Sequence, residues 1–172
     1  MWITYVIAKQ KISVYIVVMD VRQVVNKLIE KGYTISFAES CTGGLLAATF
    51  VSVADASKIF NESFVTYSDE SKIERLGVNK CTIEAHTVYS QEVADEMAIK
   101  VKEVTNSNIG VGISGIAGPS GGTKENPVGT VYISIIVNDK LYSYKEYYKE
   151  KQRNEVRQLT VSFVIDKLNE II

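Results

Sequence analysis

The chain has 172 residues, 46% of them hydrophobic and 23% charged, with a formal net charge of −1. That length fits one domain with its own core, and the balanced charge gives no global basic field to hold nucleic acid or an anionic membrane. Two cysteines (Cys41 and Cys81) and one histidine (His86) exclude a disulfide framework, a Cys/His zinc cluster and any mechanism that needs two histidines.

Residues 1–18, MWITYVIAKQKISVYIVV, are apolar and β-branched, but Lys9, Gln10 and Lys11 split them into halves too short to span a bilayer. They lack the uninterrupted apolar run and small-residue cleavage site of a signal peptide. They read as an extension, either a β-hairpin arm or the result of an upstream start with Met19 as the usual one. The protein therefore reads as cytoplasmic. Such an arm can add a strand to a neighbouring copy, so a homo-oligomer, taken as a dimer, is expected.

A regular pattern begins at Asp20. Val21, Val24, Val25, Leu28 and Ile29 recur at helical spacing, with Asp20 as a cap and Gly32 as a stop. Thr34 to Ala38 predicts a short strand, and Gly43-Gly44 leads into a buried helix over Leu45 to Val53. Phe64 to Tyr67 predicts the next strand, after which Ser68 caps a short helix running to Leu76, with Gly77 as its stop. Ser90 precedes a helix that places Val93, Met97, Val101 and Val104 on one face.

Ile109 to Ser114 alternates glycine with β-branched residues, as in a buried strand that another backbone approaches closely. The loop from Gly115 to Gly129 holds five of the eleven glycines and both prolines. Thr130 to Val137 and Leu141 to Tyr148 form an antiparallel pair around Asn138-Asp139, and the last helix starts near Asn154 with Val156, Leu159 and Phe163 inward. Strands alternating with helices, then a hairpin, predict an α/β fold with a mixed sheet. No internal repeat, linker or low-complexity segment interrupts it.

Three polar segments follow predicted strands, at the ends where open α/β sheets collect ligands. Glu39-Ser40-Cys41-Thr42-Gly43-Gly44 feeds a helix start, whose free N–H groups and dipole suit a phosphate or carboxylate. Simple capping by Ser40 or Thr42 explains the same residues. Ser57, followed by Tyr67-Ser68-Asp69-Glu70-Ser71-Lys72, supplies serine, tyrosine and lysine. A lysine whose pKa is lowered by burial can serve a serine nucleophile as base. Solvated lysines and capping serines are the commoner outcome for such residues.

The third segment, Ser114-Gly115-Ile116-Ala117-Gly118-Pro119-Ser120-Gly121-Gly122-Thr123, contains neither GxxxxGK[ST] nor GxGxxG, so a nucleoside-triphosphate loop is excluded. It remains fit to cradle one anionic group. Arg153 and Arg157, one helical turn apart, are a further phosphate-binding pair or a solvated face. His86 reads as a structural hydrogen-bonding residue.

Taken together, AESCTGG (38–44), FVTYSDESK (64–72), VGISGIAGPSGGT (111–123) and PVGTVYI (127–133) stand in the order of the CinA C-terminal domain family, which the chain resembles from about residue 20 to its end. The resemblance divides the chain into an extension (1–18) and one amidase-like domain (19–172). It implies a three-layer α/β/α fold and a metal-independent Ser/Lys hydrolase without a cofactor. The implied reaction converts nicotinamide mononucleotide to nicotinic acid mononucleotide and ammonia, a step of pyridine nucleotide salvage.

By motif, the resemblance makes Lys72 the base and Tyr67 its neighbour. Ser57 is the favoured nucleophile and Ser40 its rival. Ser114 and the glycines Gly115, Gly118, Gly121 and Gly122 line the pocket, while Arg153 and the Thr42, Gly43 and Gly44 helix start bind the substrate's phosphate. The chain departs from the family pattern at Asp55-Ala56 before Ser57, at Asn126 before Pro127 and at Lys151-Gln152 before Arg153. Two rival readings stay open. One is a non-catalytic nucleotide-binding or regulatory module, the other an interaction protein linked to DNA uptake or repair. Against the latter stand the near-neutral charge and the lack of a basic run or an aromatic platform for bases.

Overall fold

A computed structural model describes residues 20–172; the expected extension over 1–18, and Met19, lie outside the described residues. Helix α1 (20–31) forms where the apolar spacing predicts it, and Gly32, at φ +64°, ends it. The chain then alternates: β1 (Ile35–Glu39), α2 (Leu45–Val51), a 3₁₀ turn (Ala56–Lys58), and β2 (Phe60–Val65). Helix α3 (Asp69–Ser71) widens at once into a π-helical turn over Lys72–Leu76, closed by Gly77 at φ +80°. Next come α4 (Lys80–His86), α5 (Gln91–Thr105), β3 (Ile109–Gly115), β4 (Thr130–Val137), β5 (Lys140–Tyr147) and α6 (Arg153–Ile171).

The five strands form one mixed sheet in the order β2-β1-β3-β4-β5. β1 runs parallel to β2 and β3, whereas β4 and β5 complete the sheet antiparallel. One face is covered by α1, α2 and α6 through Val24, Leu28, Phe50, Val156, Val164 and Leu168. The other face packs under α5 and the π turn through Leu76, Val93, Met97 and Val101. This is the expected three-layer α/β/α arrangement. Gly110 and Gly112 make the second layer possible. A Cβ on either would fall 2.2 Å from a carbonyl of α5, that of Ala98 or Ala94, so the helix backbone rests directly on the strand.

Several details differ from the sequence reading. β2 begins at Phe60 rather than Phe64, because its register is set by pairing with β1, with Ile35 opposite Phe60. Helix α4 was not anticipated; a short segment capped by the Asn79 side chain, with one buried residue (Ile83), leaves little apolar periodicity to read. Val104 and Leu159 are 53% and 38% exposed, not inward. In α6 the buried positions are Val156, Thr160, Val161, Val164, Ile165 and Leu168, so a buried hydroxyl, whose Oγ1 donates to the Val156 carbonyl at 2.8 Å, interrupts the apolar pattern.

β1, β2 and β3 all end at the same edge of the sheet, where β4 begins and β5 ends, since Gly115 lies opposite Val131 and Thr130 opposite Tyr147. Helix α6 starts there too, and α5 runs back from it. Among the described residues, no helix is long and apolar enough to cross a membrane.

Candidate active site

At the end of β1 the fully buried Glu39 turns its carboxylate onto the start of α2. Oε2 accepts from the N–H of Gly44 (3.0 Å) and Leu46 (3.1 Å), and Oε1 from that of Ala47 (2.8 Å). Those are the orphan donors of a helix N-terminus, and the carboxylate also meets the positive end of its dipole. The site expected to hold a phosphate is thus filled by the chain itself. Thr42, Gly43 and Gly44 accordingly do not line the cleft. Thr42 is buried, and its carbonyl accepts from Arg157 Nε and Nη2 at 3.2 and 2.8 Å.

The same turn presents Ser40. Its N–H donates to the Ile113 carbonyl of β3 (3.0 Å) and its carbonyl accepts from Gly43 N–H (3.0 Å), which fixes the residue in a buried position. From across the end of β2 comes Lys72, the first residue of the π turn and also fully buried. Its Nζ donates to the Thr66 carbonyl at 2.8 Å and lies 3.3 Å from Ser40 Oγ. Burial lowers the Lys72 pKa by penalising the ammonium; the nearby Asp69 carboxylate opposes this by favouring the charged form. A π turn inside a helix is often found at functional positions, where it re-aims a side chain.

Ser40 and Lys72 open into a cleft of about 240 Å³. The Gly115–Gly118 stretch with Ser120 and Gly121 forms one side; Tyr67, Asp69 and Arg153 stand at another; Val88 and Tyr89 close a third. Arg153 Nη1 donates to the Gly118 carbonyl (2.7 Å) and Nη2 to Tyr67 Oη (2.6 Å). Two of five guanidinium N–H donors are engaged in this way, and the rest remain for a ligand. Beside Ser40, burial pushes the Cys41 thiol up to about 12, so that sulfur stays protonated and is a poor nucleophile near neutral pH. Among the described residues, no group of three His, Cys, Asp or Glu side chains could hold a metal ion.

The structure brings together Ser40, Tyr67, Lys72, Gly115, Gly118, Gly121 and Arg153 from the residues singled out by sequence. It separates Ser57. That serine is exposed in the 3₁₀ turn before β2, at the opposite end of a six-residue strand that spans ~20 Å. Within one copy of the chain it stands away from Lys72, so the serine that the fold places beside that lysine is Ser40 and not the favoured Ser57. Ser114 is buried behind the wall, where its Oγ donates to the Val88 carbonyl at 2.6 Å. Gly122 serves packing, since a Cβ there would lie 2.7 Å from Val128 N. Tyr67 stands at the rim, 59% exposed and tied to Arg153.

Asp69 and Tyr89 are among the cleft residues to which the sequence assigns no role. Asp69 sits inside the quoted motif and could have been found there. Tyr89 had only one signal: it is an aromatic placed immediately before the capping Ser90, and so at the edge where the strands end.

Residues 20–172 match the family model for the CinA C-terminal domain. A Clostridium botulinum (strain Loch Maree) protein described as competence-damage inducible is 46% identical over 145 residues, 84% of this chain and 35% of that protein. A CinA-like protein of Kosmotoga olearia is 46% identical over 143 residues, 83% of this chain and 34% of its own length. The chain thus spans about a third of the length of these curated relatives. Among solved structures, a competence-damaged protein (CinA) superfamily protein from Klebsiella pneumoniae is 30% identical with a TM-score of 0.86, covering 90% of this chain and 96% of that one. A competence/damage inducible protein from Agrobacterium tumefaciens is 32% identical with a TM-score of 0.86, covering 88% and 93%. With the motifs of the sequence, a mixed sheet of the same architecture and a family model that runs from α1 to the last residue, the chain belongs to the CinA C-terminal domain family.

Proposed function

We propose that the cleft is the active site of an amidase that hydrolyses the carboxamide of nicotinamide mononucleotide, giving nicotinic acid mononucleotide and ammonia. The observation that carries this reading is the fully buried Lys72 with its Nζ 3.3 Å from Ser40 Oγ. A buried lysine is drawn toward its neutral form, and a neutral amine can take a proton from a hydroxyl beside it.

Ser40 Oγ attacks the carboxamide carbon while its proton passes to Lys72 Nζ. The carbonyl oxygen gains the negative charge, for which backbone N–H groups of the 115–121 loop are candidate donors. Lys72 then returns the proton to the departing nitrogen, which leaves as ammonia while the acyl group stays on Ser40 as an ester. Water, deprotonated by the same lysine, cleaves that ester and restores the hydroxyl. The Thr66 carbonyl holds Nζ in place throughout. Arg153, braced by Tyr67 and Gly118, offers its remaining donors to the phosphate.

The test is ammonia release from nicotinamide mononucleotide in the presence of EDTA. Turnover in the wild type that is lost in both Lys72→Ala and Ser40→Ala supports the reading. Nucleotide binding without turnover in the wild type sinks it in favour of a non-catalytic module, a role consistent with the chain matching one part of longer relatives. Loss in Ser57→Ala with Ser40→Ala unaffected would keep the amidase and move its nucleophile.

A further inference from the structure

We propose that Tyr89 is the specificity-determining residue of the cleft, its aromatic face receiving the flat, cationic heteroaromatic ring of the ligand; this rests on the amidase reading above. Tyr89 is half-buried and lines the cleft next to Val88. Besides Tyr67 it is the one aromatic among the lining residues, and Tyr67 is committed through its hydroxyl to Arg153 at the rim.

The segment that presents Tyr89 is built with unusual care for a four-residue connection. Three successive carbonyls are each held by a side chain. The Thr87 carbonyl accepts from Ser90 Oγ (2.9 Å), that of Val88 from Ser114 Oγ (2.6 Å), and that of Tyr89 from Asn126 Nδ2 (3.0 Å). Asn126 is itself fixed, its Oδ1 accepting from Tyr132 Oη at 2.7 Å. Thr87 lies at φ +66° and ψ 159°, a region that a β-branched residue seldom enters and that persists only where the surroundings over-determine it. Asn126 is one of the positions at which the sequence departs from the family pattern, and the structure gives it this task of bracing Tyr89.

The placement fits a ligand with two different ends. Tyr89 lies two residues before α5, whereas the Arg153 guanidinium stands with the Gly118 carbonyl and Tyr67 on other walls of the cleft. A cation is favoured by the negative face of a tyrosine ring, and an anion by the arginine. A pyridinium joined to a phosphate carries those two charges. A cation over an aromatic face changes affinity by about two- to thirty-fold.

The test measures dissociation constants by calorimetry in a Ser40→Ala background. The ligands are nicotinamide mononucleotide, its reduced form with a neutral ring, and ribose 5-phosphate with no ring. Tyr89→Leu is expected to weaken the cationic nucleotide about five- to thirty-fold, the reduced form less than about two-fold, and ribose 5-phosphate not at all. Tyr89→Phe, which keeps the ring, is expected to bind the cationic nucleotide within about two-fold of the parent. Asn126→Ala should show the same selectivity more weakly, and in a wild-type background it should raise KM without lowering kcat. Equal weakening of both ring forms by Tyr89→Leu, or no change in either, overturns the assignment while wild-type turnover leaves the amidase standing. Absence of both turnover and nucleotide binding in the wild type removes the amidase reading, and this inference with it.

Discussion

Both ends of the central sheet carry a serine, a lysine and an aspartate, and only one of them buries its serine and lysine together. At the N-terminal end of β2, Ser57 is exposed and Lys58 pairs with Asp55 at 2.9 Å, both side chains more than half exposed. Such a pair is screened by water and contributes little. At the C-terminal ends of β1 and β2, Ser40 and Lys72 are buried against each other with Asp69 on the same cleft. The residue types are the same; desolvation makes the difference. Burial costs the Lys72 ammonium its hydration and lowers its pKa, while the Lys58 side chain stays in water.

The largest expected effect breaks the pair at the buried end. Lys72→Met, which keeps the length and removes the amine, should lower kcat for ammonia release by about a thousand-fold or more, the scale of a general base acting on a nucleophile. Lys58→Met at the other end should stay within about two-fold. Ser40→Ala and Ser57→Ala should divide in the same way, and a reversed order would place the chemistry at the end assigned here to structure.

The pH dependence sharpens the contrast. Turnover should rise with pH as Lys72 loses its proton, because only the neutral amine accepts one from Ser40. Stability should follow with the same sign. Folding lowers the Lys72 pKa, so the unfolded chain binds more protons between the lowered value and the ordinary lysine value of about 10.4, and stability climbs through that window. Lys72→Met should therefore be more stable than wild type at neutral pH and have a flatter stability profile in urea titrations. A destabilised methionine variant with an unchanged slope would mean that the buried lysine is not a strained base.

Glu39→Gln should cost about 1–3 kcal/mol in the same titrations, since it leaves buried donors at the start of α2 without a charged acceptor. The smallest effect belongs to Asp55→Ala. Losing its ion pair with Lys58 should change stability by no more than about 0.5 kcal/mol.

Much of this was legible in the order of residues. Gly32, Ser68, Gly77 and Ser90 punctuate the chain where sequence reading puts them, because caps and stops depend on local backbone conformation. The alternation of Gly110 and Gly112 with β-branched residues announced a strand beneath a closely packed helix. What failed locally failed for want of a local signal. Helix α4 buries a single side chain, and the early start of β2 is decided by its neighbour in the sheet. The cleft was half legible. Lys72, Tyr67 and Ser40 stood in quoted motifs and Arg153 and Ser57 outside them, but nothing in the spacing told which serine meets the lysine.

The sequence by itself determined the alternation of strands and helices, the edge of the sheet at which polar glycine-rich segments collect, and the residue types available there. Those follow from periodicity and capping, which act over a few neighbouring residues. Only the tertiary structure decided which serine meets the lysine, that Glu39 rather than a ligand occupies the start of α2, and that Tyr89 faces the cleft. The physical reason is that each of these depends on desolvation and contact between segments far apart in the chain. Residues 40 and 72 are brought within 3.3 Å by the parallel pairing of β1 with β2.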